Sequence, residues 1–262
     1  MPEPRRGRYT VFEGLDGIGK GAVIGAVSES LEGNGKQLVG FDNWCDFPEE
    51  PGSDIHDHPH LAYLVAEPSY FGVGAAIRRE LIAKHNRKYS VEAQRQAYAL
   101  DRWIQLQRVI LPALKNGSIV LSSRNVASSL CYQALGAIKE GRGEEYIGKI
   151  REEILSIEGN KFAMQNAPDL LVISTIKDVD DLIARLSART KQDNCIFENV
   201  EFQRALKPFY EDPWLRELFE KAGSKVAYLD AGISLESTRE QAVEIYTDFH
   251  ERGIIKPRYQ NP

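Results

Sequence analysis

The chain has 262 residues, 42% of them hydrophobic, and a formal net charge of −5. That is enough apolar material for one α/β core with insertions, and the acidic balance argues against a general nucleic-acid binder, which needs a basic face. Cys45, Cys131 and Cys195 stand far apart with no C-x-x-C pair, a pattern of free thiols rather than of a disulfide framework or zinc site.

The first residues, MPEPRRGRYT, contain no apolar core of a signal peptide. No apolar run approaches the roughly 20 residues that span a bilayer. A cytoplasmic protein without membrane or nucleic-acid partners is the expectation. Residues 9–12, YTVF, are a β-branched and aromatic run that reads as a buried strand. It leads into Gly14-Leu15-Asp16-Gly17-Ile18-Gly19-Lys20, the G-x-x-x-x-G-K spacing of a phosphate loop, and an amphipathic helical stretch follows over 22–31. Strand, glycine loop and helix is the context that this motif needs.

The chemistry explains the residue types. Glycines let successive N–H groups turn inward around phosphate oxygens. The new helix points its positive end at the same anion. Lys20 supplies a point charge for terminal phosphates. Gly14, Gly17, Ile18, Gly19, Lys20, Gly21 and Ala22 are therefore the candidate phosphate-binding residues. The position after the lysine ordinarily carries Ser or Thr, whose hydroxyl binds magnesium. Here Gly21 and then Ala22 follow, and neither offers a hydroxyl.

Gly33-Asn34-Gly35 reads as a stop and turn, and residues 37–41 as a second strand. Residues 42–60 break all periodicity and read as a surface insertion. Its His56-Asp57-His58-Pro59-His60 run reads as solvated loop rather than a metal site. Residues 61–66, LAYLVA, form a strand ending in Glu67-Pro68. Helical periodicity covers 70–84 and 91–114; the second stretch carries Tyr98, Asp101, Arg102 and Trp103 and stops at Asn116-Gly117. Residues 119–121 are a buried strand leading to Ser122-Ser123-Arg124-Asn125. Helices are expected over 127–137, 144–164, 179–188, 200–222 and 236–252, and strands over 170–174 and 225–229. Alternating strands and helices imply right-handed crossovers and a parallel sheet covered on both faces. The expected fold is a P-loop α/β three-layer sandwich, one domain over 1–262 interrupted by the 42–60 insertion.

In such a sheet, ligands gather beyond the carboxyl ends of the strands. Three strand ends deliver polar groups there: Asp16, Glu67 and Arg124. Phosphoryl transfer needs cations around both donor and acceptor phosphates, and a nucleotide kinase is the function that these parts fit.

In order and spacing, the chain resembles the thymidylate kinase family. FEGLDGIGK is similar to F-E-G-x-D-G-x-G-K, and AEPSYFGVGAAIRREL to E-P-G-G-x-x-x-G-x-x-I-R-x-x-L. ALDRW followed by ILPALKNGSIVLSSRNVASSLCYQ is similar to A-x-R and then P-A-L-x-x-G-x-x-V-x-x-D-R-Y-x-x-S-S-x-A-Y-Q. APDLLVI is similar to A-P-D-L-x-x-x-L. The resemblance covers nearly the whole chain apart from 42–60. It implies transfer of the ATP γ-phosphate to a deoxynucleoside monophosphate, dTMP foremost, with Mg²⁺. It also implies a homodimer, for which the 91–114 helix offers a face.

By position, the resemblance implies Gly17, Gly19 and Lys20 on the donor phosphates and Asp16 at the 3′-hydroxyl of the acceptor sugar. Tyr98 would stack on the base, and Arg102 would contact base or phosphate. Arg124 would clamp the acceptor phosphate, Ser129 read the pyrimidine edge and Tyr132 crowd the sugar 2′ position. Arg185 and Arg189 would belong to a lid over 185–199 and supply the transition-state arginine, because Gly17 is not Arg. Taken singly, Tyr98 and Tyr132 equally fit core positions. Arg102, Arg185 and Arg189 equally fit solvated surfaces. Their joint order carries the roles.

The departures cluster. The D-R-Y aspartate is Ser123, the P-loop hydroxyl is Gly21, and the E-P-G-G glycines are Ser69 and Tyr70. The D-R-x-E of the lid is blurred into Asp193-Asn194-Cys195-Ile196-Phe197-Glu198. Two of these changes remove groups that would hold magnesium, which leaves Asp16 or Glu67, through water, as candidates. Two further readings stay open. One is a kinase with another acceptor, including a deoxynucleoside kinase in which Glu67 takes the 5′-hydroxyl proton. The other is a non-catalytic nucleotide-binding protein on the kinase fold, which Ser123 and Gly21 favour.

Overall fold

The computed structural model describes residues 7–40, 61–83, 85, 87–180, 182, 200–254 and 256. The strands are β1 (Arg8–Gly14), β2 (Gln37–Gly40), β3 (Leu61–Ala66), β4 (Ile119–Ser123), β5 (Leu170–Thr175) and β6 (Lys225–Asp230). They pair in parallel in the order β2-β3-β4-β1-β5-β6. A parallel sheet with helices on both faces needs strands that are apolar throughout rather than alternating. β5 meets this: every residue from Leu170 to Ser174 is buried.

The helices are α1 (Lys20–Gly33), α2 (72–81), α3 (91–115), α4 (126–137), α5 (Ile147–Ser156), α6 (Glu158–Gln165), α7 (Val200–Tyr210), α8 (Pro213–Lys221) and α9 (Leu235–Arg252). α2, α3 and α4 each contain a π-helical turn: Ile77–Leu81, Leu106–Ile110 and Ser129–Gln133. Side-chain caps open several of them. Ser90 Oγ accepts from Ala93 N, Asn125 Oδ1 from Ala127 N and Ser234 Oγ from Ser237 N, each meeting a donor that the first turn leaves orphaned.

Two expected helices divide. The stretch over 144–164 is a 3₁₀ turn, Glu144–Tyr146, followed by α5 and α6, which part at Ile157 in an extended conformation (φ −68°, ψ 131°). Ile157 is apolar and keeps the helical period, so its pattern hides the break. The stretch over 200–222 parts at Asp212, whose side chain caps α8 by accepting from Trp214 N at 3.0 Å. Pro213 then occupies the first turn, where its missing N–H costs nothing. The 42–60 insertion, the 185–199 region and residues 183–188 of the expected 179–188 helix lie outside the described residues.

The register places the site. Ala66 and Phe12 both lie opposite Ser123, so Glu67 and Arg124, just past β3 and β4, and Glu13, still within β1, stand at one level on three adjacent strands. α6 fixes α3 from behind by backbone contact: a Cβ on Gly159 would lie 2.0 Å from the Ala99 carbonyl oxygen. Gly159→Ala is expected to destabilise the protein by about 2–3 kcal/mol, as overpacking does. Gly25→Ala, in the interior of α1 with nothing within 4 Å of the new methyl, is expected to stabilise by about 0.5–1 kcal/mol. Chemical denaturation of the two variants checks both signs.

Candidate active site

A cleft of about 540 Å³ opens beyond the carboxyl ends of β1, β3 and β4. Asp16, Gly17, Lys20 and Gly21 line it from the loop after β1 and the start of α1; Glu67, Tyr70 and Arg78 from the segment after β3; Ser123 and Arg124 from the end of β4; and Tyr98, Arg102, Ser129, Tyr132 and Gln133 from α3 and α4.

The loop between β1 and α1 needs its glycines. Gly14, Gly17 and Gly19 have φ of 134°, 83° and 100°, the region that favours glycine. Gly19 stands at the N-cap of α1, which has no side-chain cap. The first N–H groups of α1 are therefore left for an anion. Lys20 Nζ donates to the carbonyls of Gly14 at 3.0 Å and Leu15 at 2.7 Å, so its ammonium lies along the loop. Ile18 is buried, its side chain against Gly14, which leaves only its backbone to face a ligand. Gly21 and Ala22 follow in the first turn of α1; a Cβ on Gly21 meets nothing within 4 Å.

Asp16 is gripped from two sides. Its N–H donates to Gln203 Oε1 at 2.9 Å, and Gln203 Nε2 donates back to Asp16 Oδ2 at 3.2 Å. Arg124 Nη2 pairs with Asp16 Oδ1. Burial would raise the Asp16 pKa, but Arg124 and Lys20 outweigh it and hold the carboxyl below its usual range. Arg124 itself has φ 76°, a left-handed conformation that costs a non-glycine residue of order 1–3 kcal/mol. Its N–H donates to the Phe12 carbonyl at 3.0 Å. Its guanidinium also donates to Ser128 Oγ at 2.9 Å and Tyr132 Oη at 3.2 Å, and lies 5.1 Å from the Tyr132 ring. Burial opposes that charge, but Tyr132 and Asp16 push the Arg124 pKa further up.

Below them, Glu13 is fully buried and accepts from Asn125 N, Ser128 N, Ser128 Oγ and Tyr210 Oη at 2.8–3.1 Å. Burial pushes the phenols of Tyr132 and Tyr210 up, so both stay protonated donors.

The third strand end carries a buried ion pair. Arg102 Nε donates to both oxygens of Glu67, at 3.1 and 2.8 Å, and Nη2 lies 2.7 Å from Oε2. Nη2 also donates to Ser129 Oγ at 2.9 Å and to the Asn125 carbonyl at 3.3 Å, and Nη1 to Asn160 Oδ1. The resemblance implied that Arg102 contacts base or phosphate and that Ser129 reads the pyrimidine edge. Both line the cleft, yet Arg102 is 1% exposed and the Ser129 hydroxyl is its acceptor. Tyr98 and Tyr132 line the same cleft as half-buried side chains. Gln133 adds a buried amide oxygen there that has no hydrogen-bond partner among the described residues.

Magnesium has little to meet. Both Glu67 oxygens accept from Arg102, and the Asp16 oxygens accept from Arg124 and Gln203. Among the described residues no three metal-ligating side chains cluster. The donor set does not fit an ion held directly by protein side chains. Arg185 and Arg189 lie outside the described residues.

Glu13, Arg78, Asn160, Gln133, Gln203 and Tyr210 join the site without having been singled out as site residues from sequence. Glu13, Arg78 and Gln133 stand inside the quoted FEG, IRREL and CYQ motifs, a usable signal. Asn160 and Gln203 reach the site only through long-range packing.

A family model described as thymidylate kinase matches residues 56–242. The chain belongs to the thymidylate kinase family. Among its relatives is a thymidylate kinase of Leifsonia xyli subsp. xyli, 28% identical over 214 residues, covering 80% of this chain and 83% of that one. A probable thymidylate kinase of Caldivirga maquilingensis is 29% identical over 203 residues, covering 77% and 78%. A solved thymidylate kinase from Candida albicans superposes with a TM-score of 0.61 at 18% identity over 97% of both chains, a likeness of fold. Against the family's motifs, the loop after β3 is one place where this thymidylate kinase family member differs, with Ser69 and Tyr70 in place of two glycines. Ser69 donates through N and Oγ to the buried Asp101 carboxylate at 2.7 and 2.6 Å; a glycine there would keep the first bond and lose the second.

Burial pushes the Glu67 carboxyl up from 4.5 to about 7, against the pull of Arg102. Between those values the native chain keeps a proton that the unfolded chain has released, so stability from this group falls as pH rises through that window. Glu67→Gln is expected to flatten the fall in Tm from about pH 5 to pH 7. Parallel profiles for the two proteins would contradict this origin.

Proposed function

We propose that this chain transfers the γ-phosphoryl group of ATP to a deoxynucleoside monophosphate, with dTMP as the acceptor. The observation that carries the reading is the Asp16–Arg124 pair, which joins the phosphate loop after β1 to the end of β4 in one cleft. Catalysis of phosphoryl transfer is mostly positioning and charge stabilisation, and one cleft lined by Lys20, Arg78 and Arg124 supports it.

In this reading, the first-turn N–H groups of α1 and Lys20 hold the donor phosphates. Arg124 takes the acceptor phosphate, and Asp16, oriented by Gln203, meets the acceptor's 3′-hydroxyl. Tyr98 and Tyr132 flank base and sugar. The unpartnered Gln133 oxygen accepts from the pyrimidine edge, since a buried acceptor without a donor is costly until a ligand fills it. Glu67 acts by holding Arg102, not by taking a proton. Magnesium arrives as part of the Mg·ATP substrate, and no side chain is assigned to it. Arg185 and Arg189 remain the proposed lid arginines. The relatives' names support dTMP as acceptor. No helix among the described residues is long and apolar enough to cross a membrane, in keeping with a cytoplasmic enzyme of nucleotide biosynthesis. A homodimer through α3 belongs to the same reading, on the resemblance to the family alone.

The test is a coupled assay of ADP formation with Mg²⁺, run over ribo- and deoxynucleoside monophosphates and thymidine. Turnover with dTMP is the expected result. Turnover with thymidine alone would turn the reading to a nucleoside kinase, and ATP binding without any turnover to a non-catalytic protein. Lys20→Met is expected to lower kcat/KM by about 10²–10³-fold, the cost of losing one charge-stabilising donor. Gln133→Leu is expected to lower dTMP affinity by about tenfold while the KM for ATP holds.

A further inference from the structure

Arg78 is a cleft cation that the roles above leave unused. Its Nε donates to the carbonyls of Pro68 at 3.0 Å and Ser69 at 3.2 Å, and Nη2 also donates to Pro68. Those bonds fix one edge of the guanidinium. Among the described residues Nη1 has no hydrogen-bond partner, and Arg78 lines the cleft with Glu67, Ser123 and Arg124.

One flat face of the same guanidinium is covered as well: its central carbon lies 3.9 Å from the centroid of the Tyr70 ring. Tyr70 cannot swing away with its backbone. On one side Ser69, 1% exposed, is bonded to Asp101 through both N and Oγ; on the other Phe71 is 4% exposed. Gly74 closes behind the loop, where a Cβ would come within 2.3 Å of Ser69 Oγ. The ring is thus presented to Arg78 by a backbone fixed on either side. A long side chain that is already ordered and stripped of water on one face loses little freedom when an anion arrives.

We infer that Tyr70 is a positioning residue for the acceptor phosphate, acting through its ring face on Arg78. The inference rests on the reading of the cleft as a nucleoside monophosphate site. It makes the substitution of a ring for a glycine in the E-P-G-G segment a functional part of this chain.

The test is calorimetric titration of dTMP and of thymidine into the wild type, Tyr70→Leu and Tyr70→Phe. Tyr70→Leu is expected to weaken dTMP about tenfold, within the range of a cation–π contact, and thymidine less than about twofold. Tyr70→Phe keeps the ring and is expected to stay within about twofold of wild type for both ligands. Equal losses for dTMP and thymidine, no loss in Tyr70→Leu, or an equal loss in Tyr70→Phe would each overturn the inference while leaving the acceptor reading intact. A wild type that binds neither ligand overturns both. Should Tyr70→Leu fail to fold, Tyr70→Met, which keeps bulk without a ring, carries the same comparison.

Discussion

The structure depends on a charge placed where charge is expensive. Glu67 and Arg102 are both nearly sealed from water, and moving two such ions out of solvent costs several kcal/mol each before their attraction offsets it. The pair persists because Arg102 meets a partner in every direction: Glu67 beyond β3, Asn160 on α6, the Asn125 carbonyl and Ser129 at the start of α4. Asn160 Nδ2 donates to the Ile154 carbonyl at 2.7 Å, which turns the amide so that its oxygen faces Arg102. Removing any one partner leaves the rest buried and short of a bond, so the cluster ties four elements into one arrangement.

A second polar cluster stands beside it on Glu13, and Asn125 belongs to both. Its carbonyl accepts from Arg102, its N–H donates to Glu13 and its side chain caps α4. The Arg102 cluster and the Arg124 cluster are therefore not independent. A shift of α3 reaches Glu13 through Asn125, and Glu13 in turn holds Ser128 and Tyr210, which touch Arg124. This rigidity suits chemistry that depends on placing charges rather than on moving protons.

Much of the fold was legible in the sequence. The strands are short apolar runs, and the glycine loop names its own place between β1 and α1. The strand ends also announced Asp16, Glu67 and Arg124, because a parallel sheet brings all its carboxyl ends to one edge. What escaped was of two kinds. The Asp212-Pro213 break carried a local signal that the helical period over 200–222 masked, whereas Ile157 carried none. Asn160 and Gln203 meet partners 58 and 187 residues away, and no local pattern encodes such a meeting. Arg102 and Ser129 were found by motif, but that they bond each other, with Arg102 sealed from solvent, is a matter of packing.

α7 carries two of the contacts around Asp16 and Glu13: Gln203 to Asp16 and Tyr210 to Glu13. They stand seven positions apart, two helical turns, and so share one face. A single residue inserted between them would rotate one contact by about 100° relative to the other. A splice inside 203–210 must keep helical phase, or one of the two latches is lost.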